Sequence, residues 1–550
     1  MRPMLLMAAL GTYLQVSSVF AATVPDVGQI MQNLEQQPRR QNLKSSIPIN
    51  LPDAPNDQST DDSPKIAVNQ LRLEGNQTIP SASLLALLAD LPGKEWRISE
   101  LQAAANRITR YYREQGYPLA RAYIPAQEIE AGIITIAVLE GRYGDVQISD
   151  NAGLGGSALA PLADLRSGEV VQARSLERGL LLLQETPGVE VKSTLRPGAS
   201  TGTSDLLIDV HQGRRVSGSV DLDNYGNRFV GQFRAGSTVN FNNPLNLGDR
   251  LTLRVTGSDE QQLYGRLAYQ LPVGPWATQL GFAYSDMSYK LGKDFKDIRA
   301  HGSASIVSIY ALQPLIRSRS LNVSTQLQFE EKRLKDDIDL FGERRSKRTQ
   351  AITATLHGSQ RDDWLGSGQS SFSIAWTHGQ LDLDGHPARQ FDAVTANTQG
   401  RFDKVNPSIA RSQYLGERFN LFTQLQGQWS NRNLDGAEKL CLGGAYGVRA
   451  YPQGEACGDQ GLLANVELRY ALTDAWQVST FVDHGDVRVN KRPWTWGNNF
   501  RRLSGAGIGV SWAVTDWQLN AVAAWKIGHE KAQSDVERSP QIWVQLVRYF

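Results

Sequence analysis

The sequence predicts an α+β region of two tandem βααββ domains, followed by a membrane β-barrel of about sixteen antiparallel strands. One observation is a repeat: the order strand, helix, helix, strand, strand occurs twice between residues 66 and 213. A second is that apolar and polar residues alternate, strand after strand, from residue 214 to residue 550. The third is composition, since 50 glycines, 12 tryptophans and 17 tyrosines accompany only 41% apolar residues. That mixture favours a β-barrel with aromatic girdles over a helical membrane protein.

Residues 1–21 have the properties of a cleaved signal peptide. Met1-Arg2 gives a positive start, residues 5–19 are mostly apolar, and Val19-Phe20-Ala21 presents small residues where a signal peptidase reads. The alternative is an amino-terminal membrane anchor. It is disfavoured because Gly11 and Gln15 interrupt a run that is already too short to span. Export predicts an oxidising compartment, in which two cysteines can pair.

The next two segments, 22–37 and 38–65, differ in pattern. Residues 22–37 are predicted to contain a short amphipathic helix, because apolar residues recur at helical spacing: Val27, Ile30, Met31 and Leu34. Residues 38–65 contain five prolines and four aspartates and show no apolar period, which predicts a flexible linker. A disordered tail that carries a nascent helix is the alternative.

Residues 66–141 and 142–213 are predicted to be two copies of one small domain. In the first copy, strands are expected at 66–73, 121–125 and 132–139, and helices at 81–89 and 99–115. In the second, strands are expected at 145–149, 190–195 and 205–210, and helices at 157–165 and 173–185. Each copy closes on a similar tripeptide, Glu140-Gly141-Arg142 in one and Gln212-Gly213-Arg214 in the other.

Residues 214–550 are predicted to form the barrel. Alternation is clearest at 263–271, 418–429 and 517–527, where apolar residues occupy every second position. A soluble β-sandwich would also alternate, but its polar face would favour charge. Here that face is rich in Gln, Asn, Ser, Thr and Gly, as a solvated lumen allows. A closed barrel also leaves no sheet edge unpaired, which lipid requires, so we favour the barrel.

Charge and motif content argue against nucleic acid binding and against catalysis. The 57 Lys and Arg residues balance 56 Asp and Glu residues, so no surplus of positive charge is available for a phosphate backbone. Seven histidines are scattered, and residues 505–509 resemble a nucleotide loop without beginning a helix. His484 follows Asp483 directly on a predicted strand, so their side chains point to opposite faces. We expect no enzyme activity, no cofactor and no metal.

The order of these segments, together with two short motifs, resembles a known family. The loop Gly447-Val448-Arg449-Ala450-Tyr451-Pro452 contains a VRGY-like tetrad, with Ala450 at the usual glycine. An F-x-D-x-G motif is present as Phe481-Val482-Asp483-His484-Gly485. The chain resembles an outer-membrane transporter of two-partner secretion, the TpsB or haemolysin-activator (ShlB/FhaC/HecB) type. The resemblance implies that the two small domains are periplasmic POTRA-like domains.

The resemblance also implies a position for the loop. The members of the tetrad, Val448, Arg449, Ala450 and Tyr451, would lie in a loop, residues 431–460, that folds back into the barrel lumen. The guanidinium of Arg449 would pair there with Asp483, in a motif whose other members are Phe481 and Gly485. An arginine suits this role because its rigid fork can be held at two points by one carboxylate.

Cys441 and Cys457, the two cysteines of the chain, flank Arg449 and are predicted to form a disulfide. Closing a ring of this size lowers the entropy of the unfolded chain and so stabilises the folded state by about 3 kcal/mol. Two roles remain open. The bond could narrow the loop so that it fits the lumen, or it could act as a general extracellular staple.

The carboxy-terminal residues 541–550 end on an aromatic side chain, Phe550. This ending resembles the terminal strand signal that the barrel-assembly machinery reads. We therefore expect that machinery and periplasmic chaperones as partners during biogenesis. Arg548 interrupts the apolar face near the end of the strand and is expected at the periplasmic rim, where its charge reaches water.

The implied function is passive export across the bacterial outer membrane. The POTRA-like domains would bind a large TpsA-like exoprotein at an open sheet edge, at 190–195 or at 121–125, where the candidate side chains are Tyr117, Arg121, Tyr123 and Pro125. The helix in 22–37 would plug the resting pore. A barrel-assembly insertase of the same superfamily is the main alternative, with a diffusion porin and a soluble adhesin as weaker ones. The cargo class stays open among haemolysin, adhesin, contact-dependent toxin and haem-acquisition exoprotein.

Overall fold

The computed structural model describes residues 27–35 and 65–550. The expected signal peptide and all of the expected linker except Lys65 lie outside the described residues, as do both ends of the segment 22–37. The α-helices of the described part are α1 Val27–Glu35, α2 Ser81–Ala86, α3 Ile98–Glu114, α4 Gly156–Leu159, α5 Ala173–Gln184 and α6 His386–Val394. Among these residues, no helix is long and apolar enough to cross a membrane.

The first small domain is a three-stranded sheet covered by two helices. Its strands are β1 Ile66–Val68, β2 Gln70–Glu74, β3 Lys94–Trp96, β4 Arg121–Tyr123 and β5 Ile133–Leu139. The sheet order is β2-β5-β4, and β1 pairs separately with β3. Every second residue of β5 is buried, and these side chains pack under α2 and α3 to form the core: Ile134, Ile136 and Val138.

The differences from the expected boundaries in this domain are local. The helix expected at 81–89 ends at Ala86, and β3 was not expected because its sequence, Lys94-Glu95-Trp96, does not alternate. The strand expected at 121–125 ends at Tyr123. Beyond it, the amide of Ile124 donates to the side chain of Gln102 instead of continuing the sheet.

The second small domain repeats the same sheet order. Its strands are β6 Arg142–Asp150, β7 Val189–Pro197 and β8 Thr203–Gln212, arranged as β6-β8-β7. The helix expected at 157–165 is only the short α4 followed by a 3-10 turn, Ala160–Leu162. Pro161 explains the change, because proline lacks the amide hydrogen that a continuing α-helix needs.

Glu140, in the first closing tripeptide, fixes the end of the first small domain through a buried carboxylate. Its Oε1 accepts hydrogen bonds from the backbone amides of Gln77 (2.7 Å) and Thr78 (2.6 Å) and from the Tyr112 hydroxyl (3.0 Å). Burial alone would raise the pKa of Glu140, but the hydrogen bonds from Thr78 and Gln77 favour the ionised form. The net result is a pKa below the ordinary value. Arg142 continues the connection by donating to the side chain of Gln77 at 2.6 Å.

Residues 216–549 form a closed barrel of sixteen antiparallel strands, which confirms the predicted fold class and strand number. Its strands are β9 Val216–Asp223, β10 Arg234–Asn242, β11 Arg250–Ser258, β12 Leu263–Val273, β13 Thr278–Lys290, β14 Ala300–Arg317, β15 Leu321–Ile338, β16 Glu343–Asp362, β17 Gly368–Leu383, β18 Gly400–Leu415, β19 Phe419–Ser430, β22 Gln460–Ala471, β23 Trp476–Arg488, β24 Phe500–Val514, β25 Trp517–Lys526 and β26 Gln541–Tyr549. Two further strands, β20 Leu440–Cys441 and β21 Cys457–Gly458, form a hairpin inside the long loop between β19 and β22.

The two faces of the barrel differ as the alternation predicts. Outward side chains such as Leu267, Phe282 and Ile309 are apolar and exposed, as a lipid-facing surface requires. Inward side chains include charged pairs, for example Arg254 with Asp221 at 3.1 Å. The lumen is therefore polar, and the barrel buries no apolar core of its own except where other segments enter it.

The second small domain contacts the periplasmic end of the barrel. The amide of Gly155 donates to the carbonyl of Asn246 at 2.6 Å, in the turn between β10 and β11. Glu185, next to α5, pairs with Arg317 at the end of β14 (3.1 Å). Arg178 on α5 donates to the carbonyl of Pro314 in the same strand. These contacts hold the domain beside the entrance of the lumen.

Candidate functional site: the lumen loop and its wall

The long loop between β19 and β22, residues 431–459, folds back into the barrel. Its tip, defined here as residues 448–451, is buried: Val448 and Tyr451 are 0% exposed and Ala450 is 1% exposed. The tip packs against apolar side chains of the inner wall, among them Phe481 on β23 and Leu503 on β24. The structure therefore places the whole Val448–Tyr451 tetrad inside the lumen.

Arg449 and Asp483 are in direct contact. The guanidinium donates from Nε to Oδ2 and from Nη2 to Oδ1, both at 2.9 Å, and the backbone amide of Arg449 also donates to Oδ2 at 3.0 Å. Asn465 on β22 donates to Oδ1 at 2.8 Å. Asp483 is 0% exposed, and its buried carboxylate accepts all four of these hydrogen bonds. The geometry is the two-point grip that suits arginine and carboxylate.

Two further side chains complete the surroundings of Arg449. Glu467 on β22 accepts from Nη1 at 2.7 Å and also pairs with Arg469. The ring of Phe481 lies under the guanidinium, with 3.3 Å between Cζ and the ring centroid, a cation–π arrangement. Phe481 and Asp483 are two positions apart on β23, so their side chains face the same side of the strand. This explains why both residues of the motif reach Arg449. Glu467 was not predicted: an inward acidic residue on a lumen strand carries no distinguishing sequence signal.

Glycines in the wall let the loop approach closely. A Cβ on Gly485 would lie 2.8 Å from Leu442, in the lumen loop. A Cβ on Gly505 would lie 2.5 Å from the Cβ of Ala450. Residues 505–509, which resemble a nucleotide loop, are part of strand β24 and face the loop tip through Gly505. Ala450 itself does not have a positive φ, so alanine is accommodated at the position where the family motif has glycine.

The tip is also tied to the last strand and its preceding loop. Trp543 on β26 donates from Nε1 to the carbonyl of Arg449 at 2.7 Å, and the hydroxyl of Tyr451 donates to the carbonyl of Glu530 at 3.1 Å. Lys526 lies 5.0 Å from the centroid of the Tyr451 ring. The sequence does not indicate the contribution of Trp543, because the terminal strand resembles only an assembly signal.

The helix α1 lies in the lumen beside the loop. Its apolar side is buried, as the spacing predicts, in a cluster with barrel residues such as Phe229, Tyr264 and Met287: Val27, Ile30, Met31 and Leu34. Gln453 in the loop donates to the side chain of Asn33 at 2.6 Å. A helix and a loop thus occupy the lumen together.

The predicted disulfide between Cys441 and Cys457 is present. It joins β20 to β21 at the neck of the segment that carries the tip. Both of the roles proposed from the sequence are compatible with this position. The bond closes the hairpin through which the tip enters the lumen.

The predicted partner-binding side chains all lie in the first small domain, on or near β4. β4 and β7 are both edge strands of their sheets, and Arg121 and Tyr123 on β4 share one face while Ala122 is buried. Tyr117 packs edge-on against Tyr112, and Pro125 lies two residues beyond the end of the strand. The side chains on β4 are therefore displayed next to an edge of the sheet.

The chain terminus closes the barrel. The backbone of Phe550 exchanges hydrogen bonds with Gly218 on β9, with N to O distances of 3.0 and 3.1 Å. Arg548 is exposed on the outer face, with its guanidinium 5.3 Å from the Trp517 ring at the periplasmic end of β25. His484 points away from Asp483 and contacts Ser504 at 2.8 Å. Among residues 27–35 and 65–550, no cluster of side chains could hold a metal ion.

Comparisons with known proteins agree with this architecture. A family model described as haemolysin secretion/activation protein ShlB/FhaC/HecB matches residues 202–512, and one described as POTRA domain, ShlB-type, matches residues 66–141. The heme/hemopexin transporter protein HuxB of Haemophilus influenzae is 26% identical, over 97% of this chain and 96% of its own length. The outer membrane transporter CdiB of Escherichia coli is 23% identical, over 81% of this chain and 76% of its own. The solved structure of CdiB from Escherichia coli superposes with a TM-score of 0.72 at 21% identity, covering 90% of this chain and 93% of that one.

Proposed function

Because the chain belongs to the haemolysin secretion/activation protein family ShlB/FhaC/HecB, we propose that it is the translocation pore of a two-partner secretion system. It lies in the outer membrane with its POTRA domains in the periplasm, and its partner is a large TpsA-like exoprotein. One observation carries the proposal: a lipid-facing barrel has a polar lumen that is filled by a helix and a charge-paired loop instead of fixed wall residues. Such contents can move aside, as a conduit for an unfolded chain requires.

Recognition begins at the POTRA domains. An extended segment of the exoprotein adds to an exposed sheet edge, with backbone hydrogen bonds providing affinity and side chains providing selectivity. Strand β4 is the first candidate because Arg121 and Tyr123 flank the edge, and β7 is the second. The contact of α5 with the end of β14 keeps the second small domain, which carries β7, close to the lumen entrance.

Opening requires that α1 leave the lumen. Its apolar side is held by barrel and loop residues, so the closed state is stabilised by burial and by hydrogen bonds from the loop. We propose that α1 is the resting plug and that residues 38–65 provide the reach to withdraw it. Folding of the exoprotein outside the cell supplies the driving force. The chain works without catalysis and without a cofactor.

Deleting residues 23–34 tests the plug. In planar lipid bilayers, the purified variant should show a clearly higher single-channel conductance than the full chain. A deletion of equal length within the linker, residues 45–56, is the matched control and should leave conductance unchanged. Equal conductance of the helix deletion and the full chain would contradict the plug role.

Secretion itself tests the edge. In cells that produce the transporter with the exoprotein encoded beside it, the double change Arg121→Ser and Tyr123→Ser should lower the secreted amount about tenfold, as expected for central interface residues. Arg72→Ser is the control, because Arg72 lies exposed on β2 at the opposite edge of the same sheet. Equal losses from both variants would contradict recognition at β4.

The barrel-assembly insertase, which the sequence left as an alternative, is not favoured. The family model that covers most of the barrel describes secretion and activation, and the two relatives compared are transporters by name. We propose that the barrel-assembly machinery and periplasmic chaperones act on this chain only during biogenesis, with Phe550 at the closing strand as part of the recognised signal.

A further inference from the structure

Three lysines of the barrel wall point into the lumen at the base of the loop. They lie on different strands and are largely shielded from solvent, with side chains 12 to 15% exposed: Lys332 on β15, Lys347 on β16 and Lys404 on β18. We call this set the lysine pocket. None of these residues was singled out by the sequence, because lysines are common in the polar stretches of lumen strands.

The lysine pocket binds two acidic side chains at the base of the loop, defined here as residues 435–438. Glu438 is contacted by Lys332 at 2.9 Å and by Lys404 at 2.7 Å, one lysine on each carboxylate oxygen. Asp435 is contacted by Lys347 at 2.9 Å. The Nζ of Lys404 also donates to the backbone carbonyl of Glu438 at 3.1 Å. Side chain and backbone of the loop base are both held.

The polarity of this contact is opposite to that of the tip. At the tip, the loop supplies the cation, Arg449, and the wall strands β22 and β23 supply the carboxylates. At the base, the loop supplies the carboxylates and the wall strands β15, β16 and β18 supply the cations. The two sets of wall strands are separate in the order of the barrel. The loop is thus fixed to two parts of the wall by charge pairs of opposite sense.

The helix α1 contacts the loop at two places, at the base and at Gln453, which lies two residues beyond the tip. Gln32 donates from Nε2 to the carbonyl of Ala437, the residue next to Glu438. Ala437 is 1% exposed and belongs to the same apolar cluster as the buried side of α1. Because Ala437 lies between the two acidic residues that the lysine pocket holds, the position of this contact surface depends on the pocket.

We propose that the lysine pocket is a second latch of the lumen loop and that it positions the surface on which α1 docks. Lys347 and Lys404 are positioning residues in this sense: they act on the helix through Asp435 and Glu438. Lys332 acts in the same way and also attracts Glu35 of α1 directly. Displacing the loop base releases the helix while the Arg449 latch at the tip stays closed. The inference rests on the proposed plug role of α1. It adds that the wall strands β15, β16 and β18 control whether α1 stays in the lumen.

The test measures directly whether α1 occupies the lumen. Met31→Cys introduces a thiol at a position of α1 that is 2% exposed, and the two native cysteines are already joined in a disulfide. In the purified full chain, the rate of reaction with a bulky maleimide reports how often the helix leaves. Adding Lys404→Met, or separately Glu438→Gln, should raise this rate about tenfold, because either change leaves a buried charge short of a partner.

The matched control is Lys335→Met. Lys335 lies on β15 three residues from Lys332, but it is exposed and faces away from the lumen, so the labelling rate should stay at the background value. Combining Lys404→Met with Glu438→Gln should add little to the larger single effect, since both remove the same contact. Heat-modifiable migration on gels checks that each variant has a folded barrel.

The outcomes separate this inference from the proposed function. If deleting residues 23–34 raises conductance but Lys404→Met and Glu438→Gln leave labelling unchanged in folded barrels, the second latch is refuted and the plug stands. If both variants raise labelling equally with Lys335→Met, the effect is not specific to the pocket, and the inference is again refuted. If the deletion leaves conductance unchanged, the plug role itself fails.

Discussion

Replacing Asp483 with asparagine should release the loop tip, and the structure sets the size of the effect. The substitution keeps the shape of the side chain but removes a charge that is 0% exposed and accepts three hydrogen bonds from Arg449 and one from Asn465. Breaking a buried ion pair from one side costs about 3 to 5 kcal/mol. Glu467 remains 2.7 Å from the guanidinium and keeps part of the attraction, so we expect about 2 to 3 kcal/mol.

The companion substitution Glu467→Gln supplies the comparison. The side chain of Glu467 is 13% exposed and shares its charge between Arg449 and Arg469, so its loss should cost only about 1 kcal/mol. Urea unfolding of the barrel in lipid vesicles measures both values. Cleavage of the loop by trypsin measures whether the tip is still inside the lumen. Equal destabilisation by the two variants, or full protection of the loop in Asp483→Asn, would refute the assignment of Asp483 as the main anchor.

Three further predictions concern other contacts. Gly505→Val should expel the loop tip, because even a Cβ at this position lies 2.5 Å from Ala450; trypsin access to the loop should rise while Gly509→Val, further along the strand, has a smaller effect. Glu140→Gln should speed amide hydrogen exchange at residues 77 and 78, because their amides donate to this carboxylate. The folded pKa of Glu140 is lowered, so the stability that the carboxylate provides is present above about pH 4.3 and is lost as the pH falls through the folded pKa. Cys457→Ser should lower the free energy of unfolding by about 3 kcal/mol, measured from the urea midpoint. If the disulfide holds the loop in the lumen, trypsin should also cleave the loop faster; if it is a staple outside the lumen, cleavage should stay unchanged.

The barrel could be predicted because its sequence signal is repeated many times. Each strand shows a two-residue period, and sixteen repetitions outweigh the ambiguity of any single strand. The Arg449 and Asp483 contact came from a resemblance and not from the pattern, since nothing in the spacing of two residues 34 positions apart says that a loop turns inward. Family motifs carried information that periodicity could not.

The features that were missed depend on which strands face one another across the lumen. Glu467 and the lysine pocket become significant only when the register of β15, β16, β18 and β22 is known, and register is a global property of the closed sheet. The helix α4 is shorter than expected because of Pro161. Strand β3 is not predicted because its three residues do not alternate. Long-range charge pairing, in contrast, left no trace in the sequence.

Gly505 leaves strand β24 without a side chain where the strand faces Ala450 of the loop tip. There the backbone of the wall meets the methyl group of Ala450, whereas Phe481 and Leu503 contact the tip with their side chains. Movement of the hairpin along the pore therefore requires new charge partners for Arg449 at the tip and for Asp435 and Glu438 at the base. It also requires release of the apolar packing of the tip.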